Sequence, residues 1–431
     1  TRTTPDAFLA AAGADVRPTG MTGLVAGRMR GGEVESLRSF GFSDAEDLDS
    51  LTTGAVFRFP AFTEVMVSAL AAALGQEGRI DLDAPLSSVL TGLDTRLGAV
   101  SLRHLLSHQS GIDDAAPQGS EWSKILDDLD DRAIFTDPGA VYSYSRYDYP
   151  LAVRALVELL EEDLASAANR WVFEPVGMEN TSFGDPVQGL PVLVTAVPDL
   201  LSFGSTWIDA QARNPASLFA DSVSQALEDG YGRVFEGGLW TDQVEGRPRA
   251  SLMCSSGPVG DAAAIQIFPE SEVIEVFWSR ARTQGRGWPS VTSGHLLETL
   301  ASDLGLESDL FEPRKVRGDA QLGVGPRPCL DPEIRTVRAD DPGTPAGSEE
   351  WAGRYMNGDR VFELRDREGF LWLEAGMGTE LEVTHWKGDT YLATMAGRPF
   401  WPFRLVRDSK NLRYSVLEGR AHIHEEDGPG G

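Results

Sequence analysis

The change of hydrophobic period at Trp351 divides this chain more sharply than any other feature. From there on, "FELRDRE", "FLWLEA", "LEVTHW", "TYLATMA", "FRLVRD" and "RYSVLE" alternate apolar and polar residues between turn signals. That is the pattern of an all-β module, a small barrel or sandwich over about 351–425. Ahead of it, residues 80–200 carry helical patterns broken by loops, such as "SLRHLLSHQSGI" and "YPLAVRALVELLEEDLASAANRWVF". With 431 residues, 41% of them hydrophobic, the chain can bury two or three domains of mixed class.

The first 306 residues contain strands as well. "GLVAGRMRGGEVESLRSFGFSD" (23–44) reads as a hairpin around Gly31-Gly32, and "AAAIQIFPESEVIEVFWSR" (262–280) as two strands around a tight turn at Pro269–Ser271. "FRFPAFTEVMVSALAAAL" (57–74) passes from strand to helix at Pro60. Its helix puts Val65, Met66, Ala69, Leu70, Ala73 and Leu74 on one apolar face and ends at Gly75 or Gly78. "SGHLLETLASDLGL" (293–306) is an amphipathic helix that closes the large domain, and 307–350, rich in Pro, Gly and charge, reads as a linker. The tail, 426–431, is expected to be disordered.

The formal net charge of −28 excludes a polyanion partner such as nucleic acid or an anionic membrane surface. No apolar run approaches the roughly 18 residues that span a bilayer. The two cysteines, Cys254 and Cys329, give no disulfide framework, and the first residues lack the layout of a secretory signal, so the expected location is cytoplasmic. Composition fixes no oligomeric state.

Four stretches, in order and at matching spacing, carry a resemblance: "FRFPAFTEV", "GRIDLDAPLSSVL" with "SLRHLLSHQSGI", "PGAVYSYSRYDYPLAVRALVE", and "FEPVGMENTSF". Together they resemble the serine β-lactamase and penicillin-binding-protein-like family, its esterase-like branch in particular, over most of residues 20–306. The resemblance implies an α/β (α+β) β-lactamase/transpeptidase-like fold: an antiparallel sheet flanked by helices, with a helical subdomain over about 61–200. The C-terminal β module matches an appendage common in that branch. In the family's Phe-Arg-x-x-Ser-x-x-Lys motif, the nucleophilic serine falls on Ala61 and the lysine on Glu64. An alanine methyl cannot attack a carbonyl. None of the four lysines follows a serine by three residues, so the pair is not displaced elsewhere. Of the tyrosine motif, Tyr144 is kept and Arg146 replaces the asparagine. The third motif falls near "MCSSGPVGD", where Cys254, Ser255 or Ser256 stands in the basic residue's place.

Glu64, one turn after Ala61, shares its side of the helix. It is either a first-turn carboxylate stabilised by the helix dipole or a general acid–base at the floor of the old pocket. Arg146 is either its ion-pair partner across the cleft or an anion clamp. Tyr144, with no lysine beside it, should stay protonated and donate. Ala61, Tyr142, Ser255 and Ser256 complete the set as substrate-binding positions, and Tyr149 reads as helix packing. His104 and His108, four residues apart on a helix, have a spacing zinc can use but sit in a structural family segment, so no metal is assigned. His422 and His424 read as exposed. No cofactor is implied.

Two functions fit. One is a small-molecule enzyme working by acid–base chemistry without a covalent intermediate, of cyclase, isomerase, lyase or hydratase type, in specialised-metabolite biosynthesis. The other is a catalytically inactive ligand-binding or scaffold protein.

Overall fold

The computed structural model describes residues 21–42, 50–59, 61–93, 95–114, 134–187, 190–213, 234–236, 238–244, 247–256, 261–281, 348–358, 360–374, 380–387, 389–395, 398–417 and 420–428. The helix expected at 293–306 and all but the end of the 307–350 linker lie outside them.

The hairpin is present as β1 (Met21–Arg30) and β2 (Glu33–Gly41). With β6 (Val234–Glu236), β7 (Leu239–Val244), β8 (Arg247–Ser256), β9 (Asp261–Phe268) and β10 (Val273–Ala281) it forms a seven-stranded sheet of order β2-β1-β10-β9-β8-β7-β6. Every pairing in it is antiparallel. A 3-10 turn at Pro269–Ser271 joins β9 to β10 as the sequence reading expects. The first and last strands of the body meet here, because β1 pairs with β10 as well as with β2. A second, three-stranded sheet of β3 (Val56–Phe59), β4 (Ser182–Val187) and β5 (Leu190–Ala196) runs in the order β3-β5-β4.

Helix α1 (Phe62–Gln76) follows β3 directly. The expected apolar face is too narrow a description: Phe62, Thr63, Val67, Ser68, Ala71 and Ala72 are buried as well. A helix apolar nearly all round belongs in a core, and α1 lies in the main one with β3, β5 and the later helices. Its two buried hydroxyls are tied off. Thr63 Oγ1 donates to the Pro191 carbonyl at 2.8 Å and accepts from Leu193 N at 2.9 Å, and Ser68 shares a 2.9 Å hydrogen bond with Tyr149. Around α1 stand α2 (Leu102–Leu106), α3 (Asp148–Leu160) and α4 (Val197–Arg213). Val197 and Leu201 of α4 press on β1 at Gly27, where a Cβ would stand 3.0 and 2.8 Å from them.

The C-terminal module is a closed eight-stranded barrel, so it leaves no sheet edge open. Its strands are β11 (Gly353–Asn357), β12 (Arg360–Arg367), β13 (Phe370–Glu374), β14 (Glu380–Lys387), β15 (Thr390–Met395), β16 (Arg398–Arg407), β17 (Arg413–Leu417) and β18 (Arg420–His424). Tyr355, Leu364, Leu371, Leu373, Leu381, Val383, Phe403 and Leu405 share one core cluster, with alternate residues of β13, β14 and β16 facing inward. Strands β17 and β18 are buried on both faces. Tyr414, Val416, Ala421 and Ile423 pack on Phe135 and Val141 of the body, while His422 and His424 turn to Phe362 and Tyr355. The two histidines are therefore buried, not exposed, and burial holds the His422 ring down at about 3, uncharged at neutral pH. Part of the tail is ordered too: Arg413 pairs with Glu426 and Asp427.

Among the described residues no helix is long and apolar enough to cross a membrane, which says nothing of a barrel that crosses with strands.

Candidate active site

The site forms where three chain turns converge on the first turn of α1. Ala61, half-buried, is the N-cap residue and offers no side-chain oxygen to the helix. Glu64 is the third residue of α1, near the positive end of the helix dipole. Gly238, between β6 and β7, lies directly against this turn. A Cβ there would come within 2.6 Å of Val65 N and 2.9 Å of the Glu64 carbonyl carbon, and its φ is +86°. Only glycine allows both.

The partner of Glu64 is not Arg146. It is His108, whose Nε2 lies 3.9 Å from Glu64 Oε2. That is a distance for charge attraction rather than a hydrogen bond. The placement of His108 follows from how α2 ends. The N–H groups of His108 and Gln109 donate to the carbonyls of Leu105 and His104, the paired bonds of a Schellman cap. The cap needs a left-handed residue, usually glycine, yet His108 takes that place at φ +53°. The reversed backbone turns the ring into the core, where its side chain is 0% exposed. At the other end of the ring, Nδ1 lies 2.7 Å from Asp148 Oδ2, and Ser110 donates to Asp148 Oδ1 at 2.5 Å. Asp148 opens α3, so another helix N-terminus favours its charge.

Burial opposes a charged ring at His108, but the Asp148 hydrogen bond and the charges of Asp148 and Glu64 outweigh it and raise the ring to about 9. Burial pushes Asp148 up to about 6, against the pull of His108. Both neighbouring carboxyl groups therefore favour the imidazolium form of His108.

Tyr144 packs its ring 4.8 Å from that of His108 and has Arg420 of the barrel at 4.9 Å on its ring. Burial first, then the Glu64 charge, raises its phenol well above the usual range, so it stays protonated as expected. Among the described residues nothing hydrogen-bonds the Tyr144 hydroxyl, and no donor hydrogen-bonds the Glu64 carboxylate, whose side chain is 17% exposed. Tyr142 is core, its ring 6.0 Å from His108, which makes it a support rather than a ligand contact. Tyr149 packs as expected and donates to the Leu106 carbonyl at 3.0 Å.

Arg146 belongs to a second cluster. Its backbone N and its Nε each donate to Asp114 Oδ1 at 3.0 Å. The same fully buried carboxylate takes Arg420 Nε at 2.8 Å and Arg360 Nη2 at 3.3 Å from the barrel. Burial would raise Asp114, but the Arg146 hydrogen bond and the Arg420 charge hold it below the usual range. Beside it, Asn357 of β11 accepts from Asp114 N at 2.9 Å and donates to Ser143 Oγ at 3.2 Å. The expected Glu64–Arg146 pair is thus replaced by two pairs, because each residue meets an opposite charge on its own side of Tyr144.

Ser255 and Ser256 end β8, opposite Ala262 and Asp261 of β9; their side chains lie outside the described residues. His104 caps α2, its Nδ1 3.2 Å from Ser101 N, away from the His108 row. Among the described residues no three His, Cys, Asp or Glu side chains group as a metal site. In the sequence, His108 reads only as a zinc-spaced partner of His104 and Asp148 is not singled out; the structure puts both at the site. The signal available was a histidine at the cap of α2 and an aspartate opening α3, both inside motif segments.

This architecture, with the N-terminus of a core helix facing a tyrosine loop, defines the class as a β-lactamase/transpeptidase-like fold, similar to the serine β-lactamase and penicillin-binding-protein-like family. Residues 10–222 match the family model described as Beta-lactamase. Esterase EstB of Burkholderia gladioli is 27% identical over 255 residues, which take in 52% of this chain and 62% of the esterase, less than two thirds of its length. The structure of SurE with D-Leu superposes at a TM-score of 0.69 and 19% identity, covering 97% of this chain and 99% of that one. The octameric penicillin-binding protein homologue from Pyrococcus abyssi gives 0.58 at 16% identity, with coverages of 97% and 99%. D-amino acid amidase from Ochrobactrum anthropi gives 0.53 at 18%, covering 69% of this chain and 99% of its own.

Proposed function

We propose that this protein is an enzyme that performs acid–base chemistry on a small organic metabolite without forming a covalent acyl intermediate. The observation that carries this reading is the Glu64 carboxylate. It stands at the head of the central helix, partly exposed, attracted by a buried imidazolium and hydrogen-bonded by none of the described residues. A group with open acceptor capacity at a helix N-terminus can take a proton from a bound molecule and return it to another atom of that molecule. The Tyr144 hydroxyl, protonated and without a protein partner among the described residues, can donate to the oxygen on which negative charge develops. Cyclisation, isomerisation, elimination and hydration all fit such a pair, and we place them in specialised-metabolite biosynthesis. Amide or ester cleavage through an acyl-enzyme would need a side-chain nucleophile, which Ala61 does not supply.

The loss of the family's serine at Ala61 leaves a second reading, a ligand-binding protein without catalysis. The test begins with the metabolite that co-purifies with the protein. Glu64→Gln keeps the size of the side chain and removes its proton traffic. Turnover should fall by about 10²–10⁴-fold with little change in affinity. Wild-type turnover in the variant removes Glu64 from the chemistry, and a wild type that binds the metabolite and returns it unchanged supports the binding protein.

A further inference from the structure

We propose that His108 is the positioning residue of Glu64: braced by Asp148 and Ser110, its ring presents a fixed N–H to the carboxylate and holds it on the cleft side of α1. The inference rests on Glu64 being the acid–base group. It concerns a different residue, on a different element, buried where no substrate reaches it.

Three features of the geometry support it. First, the ring cannot turn. Its plane is fixed by Asp148 at Nδ1, and Tyr142, Tyr144 and Tyr149 surround it at centroid distances of 6.0, 4.8 and 5.3 Å. Second, the brace is itself braced, since Ser110 holds the far oxygen of Asp148 at 2.5 Å and the Ser110 hydroxyl also accepts from Ile112 N at 3.1 Å. A carboxyl group at each ring nitrogen favours a proton on both. Third, the backbone of His108 is in the left-handed region, which costs free energy in any residue but glycine. A cap alone would be better served by glycine or asparagine. Histidine at this turn is explained by what its ring reaches.

The charged and titratable groups facing the ring are Glu64 from α1, Asp148 and Tyr149 from α3, and Tyr142 and Tyr144 from the loop before α3, with Arg420 beyond Tyr144. Both carboxylates favour the protonated ring, and no proton has to leave it during turnover. The proton taken by Glu64 comes from the substrate and returns to the substrate.

The test uses the full chain and needs no substrate. Nitrogen-15 spectra of ring-labelled histidine, recorded across pH on wild type, Glu64→Gln and Asp148→Asn, report the charge and tautomer of His108. In the wild type the ring should remain doubly protonated up to about pH 9. Glu64→Gln removes an opposite charge at 3.9 Å, so the midpoint should fall by about one unit or more. Asp148→Asn should lower it further, since the hydrogen bond goes with the charge. A ring that titrates near the ordinary histidine value of about 6.5 overturns the proposal. So does a midpoint unmoved in Glu64→Gln, whose partly exposed side chain makes it the variant that keeps the fold. Coupling in these spectra combined with wild-type turnover of Glu64→Gln would leave His108 where it is placed here and remove the acid–base function instead.

Discussion

Asp114→Asn tests the junction between body and barrel. The substitution keeps the shape of the side chain and one acceptor oxygen but removes the charge. Three guanidinium groups converge on that carboxylate, at 3.0 Å from Arg146, 2.8 Å from Arg420 and 3.3 Å from Arg360. Hydrogen bonds to charged groups contribute about 1.5–3 kcal/mol each. The side chain of Arg420 is only 6% exposed, so its charge cannot rehydrate when its partner is neutralised. Removing one member of a buried pair costs about 3–5 kcal/mol, and like charges left facing each other place Asp114→Asn in that range. In urea this corresponds to a midpoint lower by on the order of 1 M, read by circular dichroism. Asp114→Asn with Arg420→Gln removes the most buried of the three cations and should recover part of the loss. A single variant within 1 kcal/mol of wild type would refute the reasoning, since it would mean that water already serves the cluster.

Two further outcomes follow from the site. Penicillins, cephalosporins and fluorophosphonates should leave no stoichiometric adduct by intact-mass spectrometry, and an adduct mapped to Ser255 or Ser256 would show a nucleophile on β8. Gly238→Ala should destabilise by about 2–4 kcal/mol in thermal melts, because a Cβ 2.6 Å from Val65 N adds steric strain to a left-handed backbone; an unchanged melt would show that the β6–β7 turn can move off α1.

The fold was legible wherever periodicity did the specifying. The hairpin around Gly31-Gly32, the turn at Pro269–Ser271 and the alternating strands after Trp351 all stand where the pattern puts them. Period alone did not show that β18 is buried on both faces, because His422 and His424 look polar in sequence and only the docking of Ile423 and Ala421 on the body reveals their surroundings. The site was half legible. Matching motifs located Glu64, Tyr144 and Arg146, but complementary charge suggested one pair where the structure has two. Asp114 and His108 sit in loops with no period to mark them, 32 and 44 residues from the groups they meet. A carboxylate and a histidine in a loop carry no sign of which way they face.

The clasp on Asp114 also sets an order of events during synthesis. Arg146 follows Asp114 by 32 residues, whereas Arg420 follows it by 306. At roughly 5–20 residues per second, a ribosome needs about 15–60 s to cover the longer interval. Until Asn357 and Arg360 are made, Asp114 can have only Arg146 of its three arginines and Ser143 lacks Asn357; Arg420 arrives last. The loop that carries Tyr144 therefore reaches its final setting only when the last strand leaves the exit tunnel. A chain broken between the end of β10 and β18 would release a body whose core around α1 is complete and whose tyrosine loop is not.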